Sequence, residues 1–331
     1  MVRLLSSRNL AGHFHMIDVI QMVEKAYEEK GCGRVYAFPR HQLRSGMTHT
    51  FFNILPGLMP GLQIVGLNAY TGGNKGLSLP QKVDLLFSTK DGRLLSVLES
   101  DWLSWMRTGA SSGVATSYLA RPNAHCAGIF GTGKQARSQL MALAAVRPIE
   151  TALVYSRTPE RRESFAQEMT RRLEIDVQAV DMPEAILERS DVISTATTAR
   201  SPVFDGRQVR SGTHINAIGQ HYPDRREVDS HLVRRSKVVV DDRQRALHED
   251  GELLTAMAEG AIEADHVYAT LGEVVAGKKP GRVEDEITLF TSGGIASEVL
   301  AVAAGVYQVA EERGLGTVVD WTVGDEHWKG I

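Results

Sequence analysis

The sequence predicts an α/β fold in which a doubly wound parallel sheet fills the middle of the chain and a second, mixed domain precedes it. Three observations carry this. At 331 residues the chain is long enough for two domains, each with its own core. The stretch His125-Cys-Ala-Gly-Ile-Phe-Gly-Thr-Gly-Lys-Gln-Ala136 reads as a buried strand that runs into a glycine turn and then a helix. Beyond it, strand-length apolar runs alternate with helix-length patterns to about residue 240, as parallel strands with crossover helices require.

In chain order, Ile17, Ile20, Val23, Ala26 and Tyr27 lie at helical spacing over residues 16–30, and Gly31 is placed to end that helix as its C-cap. From 34 to 98 the texture turns to short apolar runs broken by Gly, Pro and Asn. Within it, 83–87 and 94–98 read as a hairpin across Asp91-Gly92. Residues 101–120 form a helix with Trp102, Leu103, Met106, Ala110, Val114 and Leu119 on its apolar face, and Arg121-Pro122-Asn123 marks a domain boundary. Strands then fall at 127–130, 151–155, 176–180, 192–195, 213–218 and 237–240, with helices at 135–146, 159–172 and 183–190. After a Gly- and Pro-containing loop at 277–282, a long helix at 295–313 does not continue the alternation, which leaves it open to return to the first domain.

A formal net charge of −3, with no Lys/Arg run interleaved with aromatics, argues against nucleic acid as a partner. No apolar run approaches the length of a membrane span, and the N-terminus carries charge too early for a signal peptide. Two cysteines far apart, Cys32 and Cys126, fit a reducing, cytoplasmic compartment. His13-Phe-His15 lies before a scaffold helix, His41 and His49 are scattered and the two cysteines are remote, so no metal site is expected. No serine sits in a Gly-x-Ser-x-Gly elbow, which argues against a serine hydrolase.

The glycine turn has the form Gly-x-Gly-x-x-Ala. Gly131 and Gly133 let the backbone turn tightly beside a pyrophosphate, and Ala136 lets the helix pack on its strand. Phosphates would then rest on the free N–H groups that open the helix; the alternative is a plain strand-to-helix connection. At the end of the next strand stands Ser156-Arg157-Thr158, where a site for NAD usually has Asp or Glu. Hydroxyls and a guanidinium suit a 2′-phosphate, so NADP(H) is the expected cofactor with NAD(H) possible, and Arg161 and Arg162 could add charge.

These residues, with Arg107-Thr-Gly-Ala110, Gly212-Thr-His-Ile-Asn-Ala-Ile-Gly219, Leu271-Gly-Glu-Val-Val-Ala-Gly277 and Thr288-Leu-Phe-Thr-Ser-Gly-Gly294, form an ordered set that resembles the ornithine cyclodeaminase/mu-crystallin family over nearly the whole chain. The resemblance implies a Rossmann-type dinucleotide domain, 121–292, inserted into a dimerisation and substrate domain made of 1–120 and 293–331. It also implies a homodimer and hydride exchange at a carbon that bears an amine or imine. The expected activity is that of an NAD(P)H-dependent imine or ketimine reductase, or an amino-acid dehydrogenase, on a small α-imino or α-amino acid. The alternatives are a cyclodeaminase-type lyase and a non-catalytic NADPH-charged binding protein of the crystallin kind.

Site residues follow from the same resemblance. Arg107 is similar to the family arginine near substrate and cofactor, and its guanidinium could grip a carboxylate; otherwise it is a surface-paired helix arginine. Arg44 stands about where a second carboxylate-binding arginine is expected, with Arg40 competing. Asn68 occupies the place of a family lysine and brings no charge; Lys75 or Lys82 could reach in from the same region. His221 aligns with a family aspartate near the nicotinamide and can exchange a proton with a substrate nitrogen; otherwise it is a loop histidine. The cofactor would be held by Thr108, Gly131, Gly133, Lys134, Gln135, Ala136, Ser156, Arg157, Thr158, Thr195, Ala196, Thr197, Ile218, Gly219 and Ser292.

Overall fold

The computed structural model describes residues 1–10, 12–47, 50–73, 82–219 and 222–321. Among them two sheets carry the chain. The first, largely antiparallel, runs in the order Thr317–Val319, Val2–Leu5, Leu94–Glu99, Lys82–Ser88, Ile64–Gly72, Phe51–Met59 and Tyr36–Ala37, with His41–Arg44 also paired to Phe51–Met59. The hairpin expected around Asp91-Gly92 is present, and Leu85 faces Val97 across it.

The long pair Phe51–Met59 and Ile64–Gly72 was not legible in the sequence. Pro56, Gly57 and Gly66 read as loop residues, yet the two glycines lie where the sheet meets the helix Ala296–Arg313. A Cβ on Gly57 would stand 2.9 Å from the Leu300 side chain and one on Gly66 3.0 Å from it. That helix therefore does return to the first sheet. It packs there with Met16–Gly31 and Asp101–Leu119 around Val19, Ile20, Val23, Tyr27, Met106, Val114, Val302 and Val306. Each such buried aliphatic contributes about 1.5–3 kcal/mol.

Gly31 is not the helix cap. The helix runs through it to a Cys32 cap, and Gly31 is small because a Cβ there would lie 1.9 Å from the Gly272 carbonyl oxygen, where the short helix Leu271–Val275 crosses.

The second sheet is parallel throughout, in the order Asp176–Ala179, Thr151–Tyr155, Cys126–Phe130, Val192–Thr195, His214–Ala217, Ile287–Thr291, Ser236–Val240 and Val267–Thr270. Residues 287–291, which the strand–helix alternation read from the sequence left out, are a strand inside this sheet. From Cys126–Phe130 the chain winds outward to one side, then starts again on the other side at Val192–Thr195. The carboxyl ends of these two neighbours form the switch point where such sheets bind ligands.

Candidate active site

At the switch point Gly131 has φ +107°, and a Cβ there would meet the Ala196 carbonyl oxygen at 2.4 Å, so only glycine lets the two strand ends close on each other. Gly133 caps the helix Lys134–Val146, with open space where its Cβ would stand, and Ala136 is fully buried against the sheet. A cleft of about 510 Å³ opens here, lined by Gly131, Gly133, Ser156, Arg157, Thr158 and the loop after Thr195, among others. Its unblocked glycine backbone at a helix start and its neighbouring guanidinium groups fit a dinucleotide. Arg157 and Arg161 are exposed at the cleft and make no ion pair among the described residues. Arg162 is committed elsewhere: it is buried, bonded to the Ser156 carbonyl at 3.1 Å and to the Asp181 carboxylate.

Two carboxylates that sequence reasoning missed shape the strand ends. Buried Glu227 accepts from the Thr195 hydroxyl at 2.8 Å, the Thr197 N–H at 2.6 Å and the Gly219 N–H at 2.6 Å, which ties two loops at the strand ends together. Burial pushes its carboxyl up, and these three donors oppose the shift. Asp241 accepts from the Ser292 hydroxyl at 2.9 Å and from the N–H groups of Gly293 at 3.0 Å and Gly294 at 2.9 Å; its other oxygen takes Arg245 Nε at 2.7 Å. Nothing local marks either acid, because each is defined by loops brought from elsewhere. Ile218 is buried in the core beneath Gly219.

The helix Asp101–Leu119 lies across the dinucleotide turn. Gly109 allows this, since a Cβ there would come within 2.5 Å of the Ser138 carbonyl oxygen on the turn helix. The close crossing places Thr108 where its carbonyl accepts from Gln139 Nε2 at 3.3 Å, and it lets Lys134 reach Asp101 at 2.7 Å. One turn apart on the same helix, Ser104 and Arg107 face the first sheet. Arg107 Nη1 donates to Glu298 Oε2 at 3.0 Å, and the Glu298 Oε1 accepts from Ser111 at 3.0 Å and from the Tyr27 hydroxyl. Glu298 is fully buried; burial raises its pKa, and Arg107 opposes that. Arg107 Nε is buried without a partner among the described residues, so the guanidinium keeps donor capacity.

Asn68 and Asp84 face each other across the paired strands, and the Asn68 amide donates to Asp84 Oδ1 at 2.5 Å. Burial pushes the Asp84 carboxyl up to about 7, with Asn68, Ser100, Arg107 and Lys82 opposing. Lys82 is half-buried beside them and donates to the Ser104 hydroxyl at 2.9 Å. Arg44 lies on the exposed strand His41–Arg44 with its guanidinium bonded to Gln42, whereas Arg40 reaches inward to the Gly293 carbonyl at 2.6 Å. The structure thus brings Arg40, not Arg44, to the loop beside Arg107. His221 and Lys75 lie outside the described residues.

A model of the ornithine cyclodeaminase/mu-crystallin family matches residues 2–314. The chain belongs to the ornithine cyclodeaminase/mu-crystallin family. It is 35% identical to a Delta(1)-pyrroline-2-carboxylate reductase of Bacillus cereus, covering 93% of this chain and 96% of that one. Among solved structures, it is similar to the Thermococcus litoralis Delta(1)-pyrroline-2-carboxylate reductase in complex with NADH and L-proline. That match has a TM-score of 0.91 and 40% identity and covers 96% of this chain and 100% of that one. An archaeal alanine dehydrogenase dimer with bound NAD follows at TM-score 0.90 and 31% identity, covering 97% and 99%. This family member is an NAD(P)-dependent oxidoreductase of the carbon–nitrogen type that uses a nicotinamide cofactor. Among the described residues, no helix is long and apolar enough to cross a membrane.

Proposed function

We propose that the chain reduces the C=N bond of a small α-imino acid, with NADP(H) preferred, as a cytoplasmic homodimer. The carrying observation is Arg107: it sits on the helix that crosses the dinucleotide turn, is anchored from behind by buried Glu298, and keeps an Nε–H without a partner among the described residues. A planar guanidinium held in this way suits a carboxylate and fixes the imine carbon relative to the cleft. When bound, the reduced nicotinamide supplies the hydride. The chain's residues do the rest: Arg107, with Arg40 near it, holds the carboxylate, and Asn68 keeps Asp84 in place. His221 gives the proton that the nitrogen needs as the carbon is reduced, so imine, hydride and proton balance as amine.

Gly131, Gly133, Lys134, Gln135, Ala136, Thr108, Thr195, Ala196, Thr197, Ile218, Gly219 and Ser292 would frame the dinucleotide, with Ser156, Arg157 and Thr158 at its 2′ end. Arg157 and Arg161, without ion pairs among the described residues, support NADP(H). In this reading residues 121–292 are the dinucleotide domain, and 1–120 with 293–331 form the substrate and dimerisation domain. The dimeric alanine dehydrogenase is what supports the homodimer. The test is oxidation of NADPH with pyrroline- and piperideine-2-carboxylate, and with pyruvate or glyoxylate plus ammonia or methylamine. Turnover of at least one is expected; silence across the panel overturns the reading.

A further inference from the structure

The strand face that looks at the helix Asp101–Leu119 carries a cation that no ion pair cancels among the described residues. Lys82 stands opposite Tyr70 and two residues from Asp84, on the face of the sheet that also carries Asn68. Its ammonium rests 5.6 Å from the centre of the Tyr70 ring and donates to the neutral Ser104 hydroxyl at 2.9 Å. The acids that could serve it are engaged. Asp101 takes Lys134 at 2.7 Å, Glu298 takes Arg107 at 3.0 Å, and Asp84 takes the Asn68 amide at 2.5 Å. Asp84, pushed up to about 7, is in addition only a partial anion at neutral pH.

Burial and the nearby Arg107 charge lower the Lys82 pKa in turn, the mark of two cations held near each other in a half-dry place. Ser104, which takes the ammonium, lies one helical turn before Arg107, so the two cations share one side of the helix. A half-buried, unpaired cation is costly unless an anion joins it.

We propose that Lys82 is a further cation of the substrate site, taking the imino acid's carboxylate jointly with Arg107, and that the Asn68–Asp84 pair positions the strand face it stands on. This rests on the reductase reading above and names how that site recognises its substrate.

The experiment uses the full chain saturated with NADPH. Binding of pyrrole-2-carboxylate, a flat anionic analogue, and of neutral pyrrole-2-carboxamide is measured by calorimetry for the parent, Lys82→Met and Lys82→Arg. Losing one charge-assisted pair should weaken the carboxylate about 10- to 100-fold in Lys82→Met, while the carboxamide binds both proteins alike and Lys82→Arg stays within a few-fold of the parent. NADPH affinity, read by fluorescence, should hold in all three. With a turned-over imine, KM should rise by the same factor while kcat changes less.

Should Lys82→Met fail to bind NADPH or to melt cooperatively, Lys82→Gln replaces it and is read the same way. Unchanged pyrrole-2-carboxylate binding in a folded Lys82 variant overturns the assignment, as does a loss confined to kcat with a displaced pH profile, which would make Lys82 a proton donor instead. Failure of the parent to reduce any imine would sink the reductase reading; reduction by the parent with an unchanged KM in the variant would sink only Lys82.

Discussion

The dinucleotide cleft and the substrate side of the site meet at the helix Asp101–Leu119, yet they are built on opposite principles. The cleft uses short contiguous runs at the ends of neighbouring parallel strands, where Gly131 closes on Ala196 and Glu227 ties Thr195, Thr197 and Gly219 together. The proposed substrate side uses single side chains from separate elements: charged Arg107 from a helix, Glu298 from the returning helix and Lys82 and Asp84 from a strand, with the Asn68 amide from its neighbour. Phosphates can be met by backbone N–H groups, so glycine spacing largely specifies the cleft. A carboxylate must be met by side chains whose charge and aim depend on what lies behind them.

If the two regions are separable, changes in one should leave the other's ligand alone. The largest effect is expected from His221→Ala: turnover falls about 10²- to 10⁴-fold, as for a lost acid–base group, while NADPH affinity stays the same. His221→Asp should recover part of the rate with a shifted pH profile. If both variants reduce imines as well as the parent, the proton comes from another group.

Arg107→Met tests the stability side of the same region. It strands the buried Glu298 carboxylate, so unfolding free energy should drop by about 3–5 kcal/mol. Adding Glu298→Gln should return part of the loss, because the amide needs no counter-charge. Urea melts of the single and double variants decide it, and a double variant no better than the single would mean the pair is not what stabilises this core.

On the cleft side, Arg157→Ala should weaken NADPH by about 1.5–3 kcal/mol and NADH far less, since only the former loses a charge-assisted pair. Equal losses would show that Arg157 does not read a phosphate and would leave cofactor preference to other groups.

The smallest effect lies beneath both regions. His214 is buried, with Nδ1 2.9 Å from the Thr288 hydroxyl and Nε2 3.2 Å from the Asn216 side-chain oxygen, and burial, then Arg282, push its pKa down to about 3. The unfolded chain protonates this histidine near its ordinary value of about 6.5 and the folded chain does not, so its contribution is full above about pH 6.5 and is lost as pH falls toward 3. Its share of the loss approaches about 1.4 kcal/mol per pH unit below 6.5. Thermal melts between pH 7 and 5 should show a shallower decline for His214→Asn; an identical slope would mean that the native imidazole is protonated as readily as the unfolded one.

Six strands of the parallel sheet were readable, most plainly where a strand buried on both faces is a nearly unbroken apolar run, as in Cys126–Phe130; Val267–Thr270 and Ile287–Thr291 were not. The long strands Phe51–Met59 and Ile64–Gly72 were not, because their glycines answer to Leu300 on a helix far along the chain. Arg44 was chosen from the place of a family arginine, with Arg40 competing, and the turn of the chain between them puts Arg40 inward at Gly293 and Arg44 on an exposed edge.

By itself the sequence determined the dinucleotide turn, the strand–helix alternation and the family, because backbone geometry and periodic burial are written in neighbouring residues. Only the tertiary structure decided which charges matter. It sets Glu298 behind Arg107, turns Asn68 onto Asp84, leaves Lys82 unpaired among the described residues, and gathers two loops on Glu227. A carboxylate or ammonium has no fixed worth along a chain; its protonation and its partner follow from the water removed around it and from the opposite charge that folding brings within reach.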